Sequence, residues 1–434
     1  MQEFELRTGV WINDRPVKLN FPNEWDVAVY WPETPPPLSD DEISARLVQP
    51  IGQPPLAEMA AGKRRPIIIV DDMSRPTPVF RILPFLLADL ESAGIPRADV
   101  RIIVATGTHG AQDEQALRAK LGPEIFQSCQ VIVHNDLARA KLIGRTSFDT
   151  PVYVNPELVN ADLIVGVGGI YPQHSTGFGG GGKLALGVLG RKSIKHLHLR
   201  HGSVGGNYST DNNFRRDVTE MAQMMGLRSI VTVHINGRME IVNVVAGDYT
   251  GYYDEAVRFS LEKYDAPLPG DADVVIANAY PSDISYTFMR KANRPVLCAP
   301  TDATKIMISS NHAGLGHHGL YPQGKSERWL KFKNRWDRIS IMKPRQIAMK
   351  ILKKLSPRKE KSYISLSGEA EPPDDFTLWI YTPQGGCTNL PPLKGVEVVD
   401  DWNRMLDIVR KNHPSKERLK VRIYPCASLQ CIRC

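Results

Sequence analysis

Residues 66–78 read PIIIVDDMSRPTP, a β-rich run that ends without a spacer in two carboxylates, a serine and an arginine. A short apolar run bounded by turn residues fits a strand buried on both faces. Working outward, the same grammar repeats. Residues 100–104 run into ATGTHG with His109, and residues 131–133 into His134, Asn135 and Asp136. Residues 161–167 run into a glycine-rich loop, and helical stretches separate these runs. Strands alternating with helices indicate a parallel α/β sheet. In such sheets ligands sit beyond the carboxyl ends of the strands. Asp72, Arg75, His109, His134 and the loop at 171–201 all follow such ends, which predicts one shared site.

That loop reads YPQHSTGFGGGGKLALGVLGRKSIKHLHLRH. Gly177 and Gly179, Gly180, Gly181 and Gly182 lead to Lys183, with His174 before them and His196, His198 and His201 after. Glycines let backbone N–H groups approach an anion closely. A lysine beside them is a phosphate contact or a covalent attachment point. Gly177, Gly182 and Lys183 fit G-x-x-x-x-G-K, but Leu184 stands where a P-loop needs the magnesium-binding Ser or Thr. The bland alternative, a flexible loop, does not explain the clustered histidines, the usual metal ligands and proton carriers near neutral pH.

The turn-rich segment DAPLPGD at 265–271 is read as a domain boundary. The expectation is two α/β domains, 1–268 and 269–434, each with a mainly parallel sheet flanked by helices and with the active site in the cleft between them. The second unit begins with a run at 273–277 that ends in NAYPSD. The helix after it carries Phe288, Arg290 and Lys291, and a later run at 305–308 ends in SSNHAGLGHHGLY.

The chain has 434 residues with 42% hydrophobic and 23% charged content, ordinary for a globular protein. No apolar run approaches the ~20 residues of a membrane span. The start, MQEFELRTGV, lacks a basic-then-apolar signal, so a cytoplasmic protein without membrane insertion is expected. The net charge of +7 is local: residues 324–361 hold 14 Lys and Arg against three acids. The remainder is net acidic, so the basic character is local and says nothing about general nucleic-acid binding, and no nucleic-acid partner is expected. Cys129, Cys298 and Cys387 read as isolated, buried apolar residues, while Cys426, Cys431 and Cys434 crowd the C-terminus and read as a frayed, reduced tail, with metal or redox roles open.

Four segments resemble the nickel-pincer-nucleotide-dependent lactate racemases. They are DDMSRPTP at 71–78, ATGTHG at 105–110, the glycine loop with its lysine and GRKSIKHLH, and YPSDISYTFMRKA at 280–292. The resemblance implies racemisation or epimerisation of a 2-hydroxy acid by reversible hydride transfer to a lysine-tethered nickel-pincer nucleotide. The cofactor is pyridinium-3-thioamide-5-thiocarboxylic acid mononucleotide with nickel. Lys183 matches the tethering lysine and His198 the nickel ligand, with the pincer supplying the other positions. His109 and His174 match the acid/base pair. Asp72 and the glycines 179–182 match cofactor contacts, and Arg75, Lys291 and Phe288 match substrate contacts. Partners implied are a small 2-hydroxy acid and the cofactor biosynthesis enzymes.

The sequence departs from the family at four points. Phe288 stands where the family usually has glutamine, which implies a substrate larger or more apolar than lactate. His174 precedes Gly177 by three residues in place of four. GFGGGGK replaces GFSGG-x-K, and Gly110 follows His109 where the family has arginine. Two other readings stay open: a nucleotide- or phosphate-binding protein using residues 177–183, and a catalytically inactive nickel-cofactor binder.

Overall fold

The computed structural model describes residues 1–110, 112–136, 140–173, 176–201, 208–319, 377–383, 386–387 and 395–433. The basic segment 324–361, His174 and Cys434 lie outside the described residues.

The chain opens with a hairpin, β1 (Gln2–Thr8) and β2 (Arg15–Phe21), then β3 (Asp26–Val29). Next come β4 (Pro66–Asp71), β5 (Arg101–Ala105), β6 (Gln130–Val133), a small hairpin β7 (Lys141–Arg145) and β8 (Pro151–Val154), and β9 (Leu163–Gly169). β10 (Pro172–Gln173) and β11 (Gly177–Phe178) pair at the glycine loop, and β12 (Leu227–Ile235) and β13 (Ile241–Gly247) follow. The last five are β14 (Val274–Asn278), β15 (Thr304–Ile308), β16 (Leu378–Tyr381), β17 (Val396–Val399) and β18 (Lys420–Tyr424).

Two six-stranded sheets result, in the orders β13-β12-β9-β4-β5-β6 and β17-β16-β15-β14-β18-β3. The first is parallel except for edge strand β13, and the second is parallel throughout. The expected α/β class therefore holds. β4 and β9 are apolar and buried along their length, as strands covered on both faces must be.

The order of the first sheet decides where a ligand sits. From β4 the chain winds outward to β5 and β6, then returns to the other side of β4 as β9 and moves to β12. The sheet's switch point therefore lies between β4 and β9, and the crevice there opens beyond their carboxyl ends. Those ends carry Asp71 and Gly169.

β12 and β13 form a hairpin around Asn236 and Gly237, with a bulge at His234/Ile235. Ser39 caps the helix Asp40–Leu47 through a capping box with Glu42. One strand falls outside its sequence grouping: β3, from the stretch read as part of the first unit, is the edge strand of the second sheet beside β18. β1 and β2 also bury Leu6, Leu19 and Phe21 with Ile276, Ile306 and Trp402 of that second core. Cys129, Cys387, Cys426 and Cys431 are free thiols; Cys426 and Cys431 are fully buried in the core and not part of a frayed tail, and Cys298, read as isolated, is disulfide-bonded.

Candidate active site

The loops after β4, β5 and β9, together with residues 179–187, enclose a cavity of about 900 Å³, counting the part open to solvent. Asp72, Arg75, His109, Gly179, Gly180, Gly181, Lys183 and His198 all line it. Gly182 faces a neighbouring cavity instead, beside Arg215 and Tyr253. Phe288 and Lys291, from the segment after β14, reach the site by contact. The Phe288 ring stands edge-to-face with His109 at 4.9 Å between centroids. Lys291 Nζ donates to the Ser74 carbonyl at 2.6 Å and lies 5.0 Å from the Phe288 centroid. His174 has no described placement.

Asp72 and His109 form a dyad. His109 Nδ1 lies 2.7 Å from Asp72 Oδ2, and Ser74 Oγ donates to Asp72 Oδ1 at 2.6 Å. Burial works against the Asp72 charge, but His109, then Arg75 and the Ser74 hydroxyl, hold its carboxyl below the usual range. Burial is also the largest influence on His109 and pushes it down; Asp72 opposes, while Arg75 and Lys291 push the same way as burial. The state with an ionised Asp72 and a neutral His109 satisfies both shifts. The carboxylate then accepts a hydrogen bond from Nδ1–H, and Nε2 is left as the basic nitrogen.

The glycine loop is held from behind. Arg215 donates to the carbonyls of Gly180 (3.0 Å) and Phe178, and Tyr253 OH donates to Gly179 O at 3.2 Å. Both side chains line the neighbouring cavity and not this one. Gly180 and Gly181 have φ of 70° and 59°, the left-handed region that glycine enters at no steric cost. At Gly181 a Cβ would stand 2.8 Å from the Tyr253 ring. Lys183 follows inside a short 3₁₀ segment, Gly181–Val188, so it is not seated at an α-helix N-terminus. Among the described residues its ammonium has no hydrogen-bond or ion-pair partner. Burial, then Arg75 and Arg215, bring its pKa well below the ordinary lysine value. The shift favours the uncharged form of the amine, which is the nucleophilic one.

His198 sits on the helix Arg191–His201. Its Nδ1 donates to Ile194 O at 2.8 Å, which fixes the tautomer and makes Nε2 the lone-pair nitrogen. Burial, and after it Lys183, lower its pKa to about 4, so the ring is neutral near pH 7. The neighbouring histidines point elsewhere. His201 Nε2 pairs with Asp217 at 2.7 Å, and His196 Nδ1 lies 3.2 Å from Thr150 Oγ1. His134 is buried against Leu189 O and Asn155, where it supports the loop from below.

The sequence alone assigns no role to His318. It lines the cavity, with its ring 5.3 Å from His109. Its loop, after β15, docks on the β5 loop: Gly319 N donates to Thr108 O at 2.8 Å, and His317 packs on Gly110. The signal available is the second motif-bearing strand end, GLGHHG, but nothing in it says which histidine turns inward. Nor does the sequence pair Lys120 with Asp71; their Nζ–Oδ1 distance is 2.7 Å.

A cavity at the switch point of a parallel sheet, lined by an Asp–His dyad, two further imidazoles, Arg75 and Lys183, has the make-up of an enzyme site. Residues 12–208 match the family described as the lactate racemase N-terminal domain. The lactate racemase of Thermoanaerobacterium thermosaccharolyticum is 29% identical over 306 residues, 68% of this chain and 70% of that one. The lactate racemase of Lactiplantibacillus plantarum is 29% identical over 296 residues, 65% and 69% of the two chains. The fold matches the lactate racemase apoprotein structure from T. thermosaccharolyticum with a TM-score of 0.70 at 22% identity, covering 99% of this chain and 100% of that one. A Thermotoga maritima crystal structure gives a TM-score of 0.58 at 16% identity, over 92% and 99%. Residues 12–208 are thus similar to the lactate racemase N-terminal domain, the chain is similar to lactate racemases over about two thirds of its length, and these likenesses support an isomerase of the racemase kind. No helix among the described residues is long and apolar enough to cross a membrane.

Proposed function

We propose that the protein racemises or epimerises a 2-hydroxy acid with the help of a nickel-pincer nucleotide held on Lys183. The observation that carries this reading is the convergence of three differently prepared groups on one cavity. They are the buried amine of Lys183, its pKa lowered by burial, the imidazole of His198 with Nδ1 tied to Ile194 O, and a carboxylate-held base at His109.

The residues fit the group. Among the described residues no cluster of three or more His, Cys, Asp or Glu could hold a bare metal ion. A single imidazole suits a nickel that arrives with its own sulfur donors. The Lys183 amine is suited to an amide-type linkage to the organic part. When bound, that group supplies an acceptor that takes the carbinol hydrogen with its electron pair and returns it.

The chain's own residues do the rest. Arg75 and Lys291 bind the substrate carboxylate by charge-assisted hydrogen bonds. Burial leaves Lys291 short of countercharge, and an arriving carboxylate supplies it. His109 Nε2 takes the hydroxyl proton and gives it back, while Asp72 holds the Nδ1 proton in place. His174 is the second base in this reading, so that each face of the planar intermediate has one. Phe288 against His109 sets an aromatic wall at the reacting carbon, which favours a substrate larger or more apolar than lactate.

The test is chiral chromatography on a panel of single-enantiomer 2-hydroxy acids, with protein co-expressed with cofactor-making enzymes. Interconversion of at least one, lost about 10²–10⁴-fold in His109→Ala, is expected. No interconversion of any panel member by nickel-loaded protein would overturn the reading.

A further inference from the structure

We infer that Lys120, a residue that does not reach the cavity, is the positioning residue that aims Arg75. The inference rests on the reading of Arg75 as the carboxylate contact. Lys120 comes from the helix Glu114–Leu121 and is fully buried, with 0% exposure. Its Nζ donates to the Arg75 carbonyl at 2.7 Å, pairs with Asp71 Oδ1 at 2.7 Å and lies 5.0 Å from the Trp11 ring centroid. Asp71 Oδ2 in turn accepts from Thr77 Oγ1 at 2.6 Å and from Gly169 N at 2.9 Å. Two side chains thus tie the loop after β4 to the end of β9 across the switch point.

A buried ion pair is a weak way to gain stability, because desolvation offsets the attraction. Apolar residues of the same volume would fill this space at no such cost. What an apolar pair could not do is fix the backbone of residue 75. Arg75 needs that help, since its guanidinium makes no ion pair among the described residues and touches only Ser74, at 3.2 and 3.4 Å. Its direction is therefore set by its backbone, and Lys120 holds that backbone.

The test measures binding of oxalate, a small carboxylate probe, to the full-length protein by titration calorimetry. The variants are Asp71→Asn/Lys120→Met and Arg75→Ala, with melting curves to establish folding. The double variant removes one charge of each sign, and because Asp71 lines the cavity while Lys120 does not, electrostatics alone predicts anion binding that is unchanged or tighter. The introduced asparagine keeps an oxygen for Thr77 and Gly169. The expected result is at least tenfold weaker binding in both variants. Wild-type affinity in the folded double variant, with a tenfold loss in Arg75→Ala, would overturn the positioning role and leave the function standing. Unchanged affinity in Arg75→Ala would remove Arg75 as the anion contact, and the role of Lys120 with it. Should the double variant not fold, Lys120→Arg keeps the charge but shifts the donor off the Arg75 carbonyl; the same tenfold loss or its absence then decides.

Discussion

Asp72 gives His109 its character as a base, and the pair makes a prediction about pH. Burial lowers the His109 pKa from its ordinary 6.5, so the basic form persists as pH falls toward that value. The acid limb of kcat/KM is expected below pH 6.5. Asp72→Asn removes the main influence raising that pKa and frees the ring to turn. The limb should move lower still while the rate drops about 10²-fold or more. An acid limb above 6.5 in the wild type would contradict the assignment. Phe288→Gln should favour lactate over larger 2-hydroxy acids by about tenfold in kcat/KM, since one apolar wall element is worth that much discrimination. An unchanged ratio would remove Phe288 from specificity. That Asp72 and His109 share a site was legible because both follow strand ends, but their pairing as a dyad was not. Lys120 was not: in sequence it is one lysine among the charges of a short helix, and only the Trp11 turn and the packed β4 loop bury it.

At the scale of elements, the glycine loop depends on backbone angles that other residues resist. Gly181→Ala adds a Cβ at φ 59°, 2.8 Å from the Tyr253 ring. The strain should cost about 1–3 kcal/mol in denaturant unfolding and reduce modification of Lys183. An alanine variant with wild-type stability would contradict that geometry. The β12–β13 edge offers a pH test away from the site. His234 is buried, with Nε2 donating to Ala256 O at 2.8 Å, and burial lowers its pKa to about 4. Above pH 6.5 the ring is neutral in both folded and unfolded chains. As pH falls from 6.5 toward 4 the unfolded chain takes up a proton that the folded one refuses, so stability declines. His234→Gln should flatten that decline by about 1.4 kcal/mol per pH unit. An identical slope in the variant would contradict it. The strands themselves were readable because fully buried parallel strands are unbroken apolar runs. β3 was not readable as part of the second sheet: four residues carry no mark of a partner nearly 400 positions away.

Across the whole molecule, the N-terminal turn joins the two sheets. Asp283, after β14, accepts from Thr8 Oγ1 at 2.8 Å and from Gly9 N at 2.7 Å. Close by in the chain, Trp11 donates to Met73 O at 3.2 Å in the loop after β4. Asp283→Ala should therefore destabilise the protein by on the order of 3 kcal/mol in denaturant unfolding. A cost below about 1 kcal/mol would show that the turn holds without it. Four motifs, distant in sequence, announced one site, because parallel sheets bring strand ends together. The histidine that faces His109 from the other sheet, His318, depends on how the β15 loop docks, which no local pattern encodes. The central claim is that Lys183 carries the cofactor. The most direct measurement is intact mass with peptide mapping and nickel analysis, after co-expression with the cofactor-making enzymes. The account predicts an adduct on Lys183 with about one nickel per chain, the adduct being lost in Lys183→Ala and the nickel alone in His198→Ala. An unmodified mass without nickel, under conditions that load a lactate racemase, would contradict it.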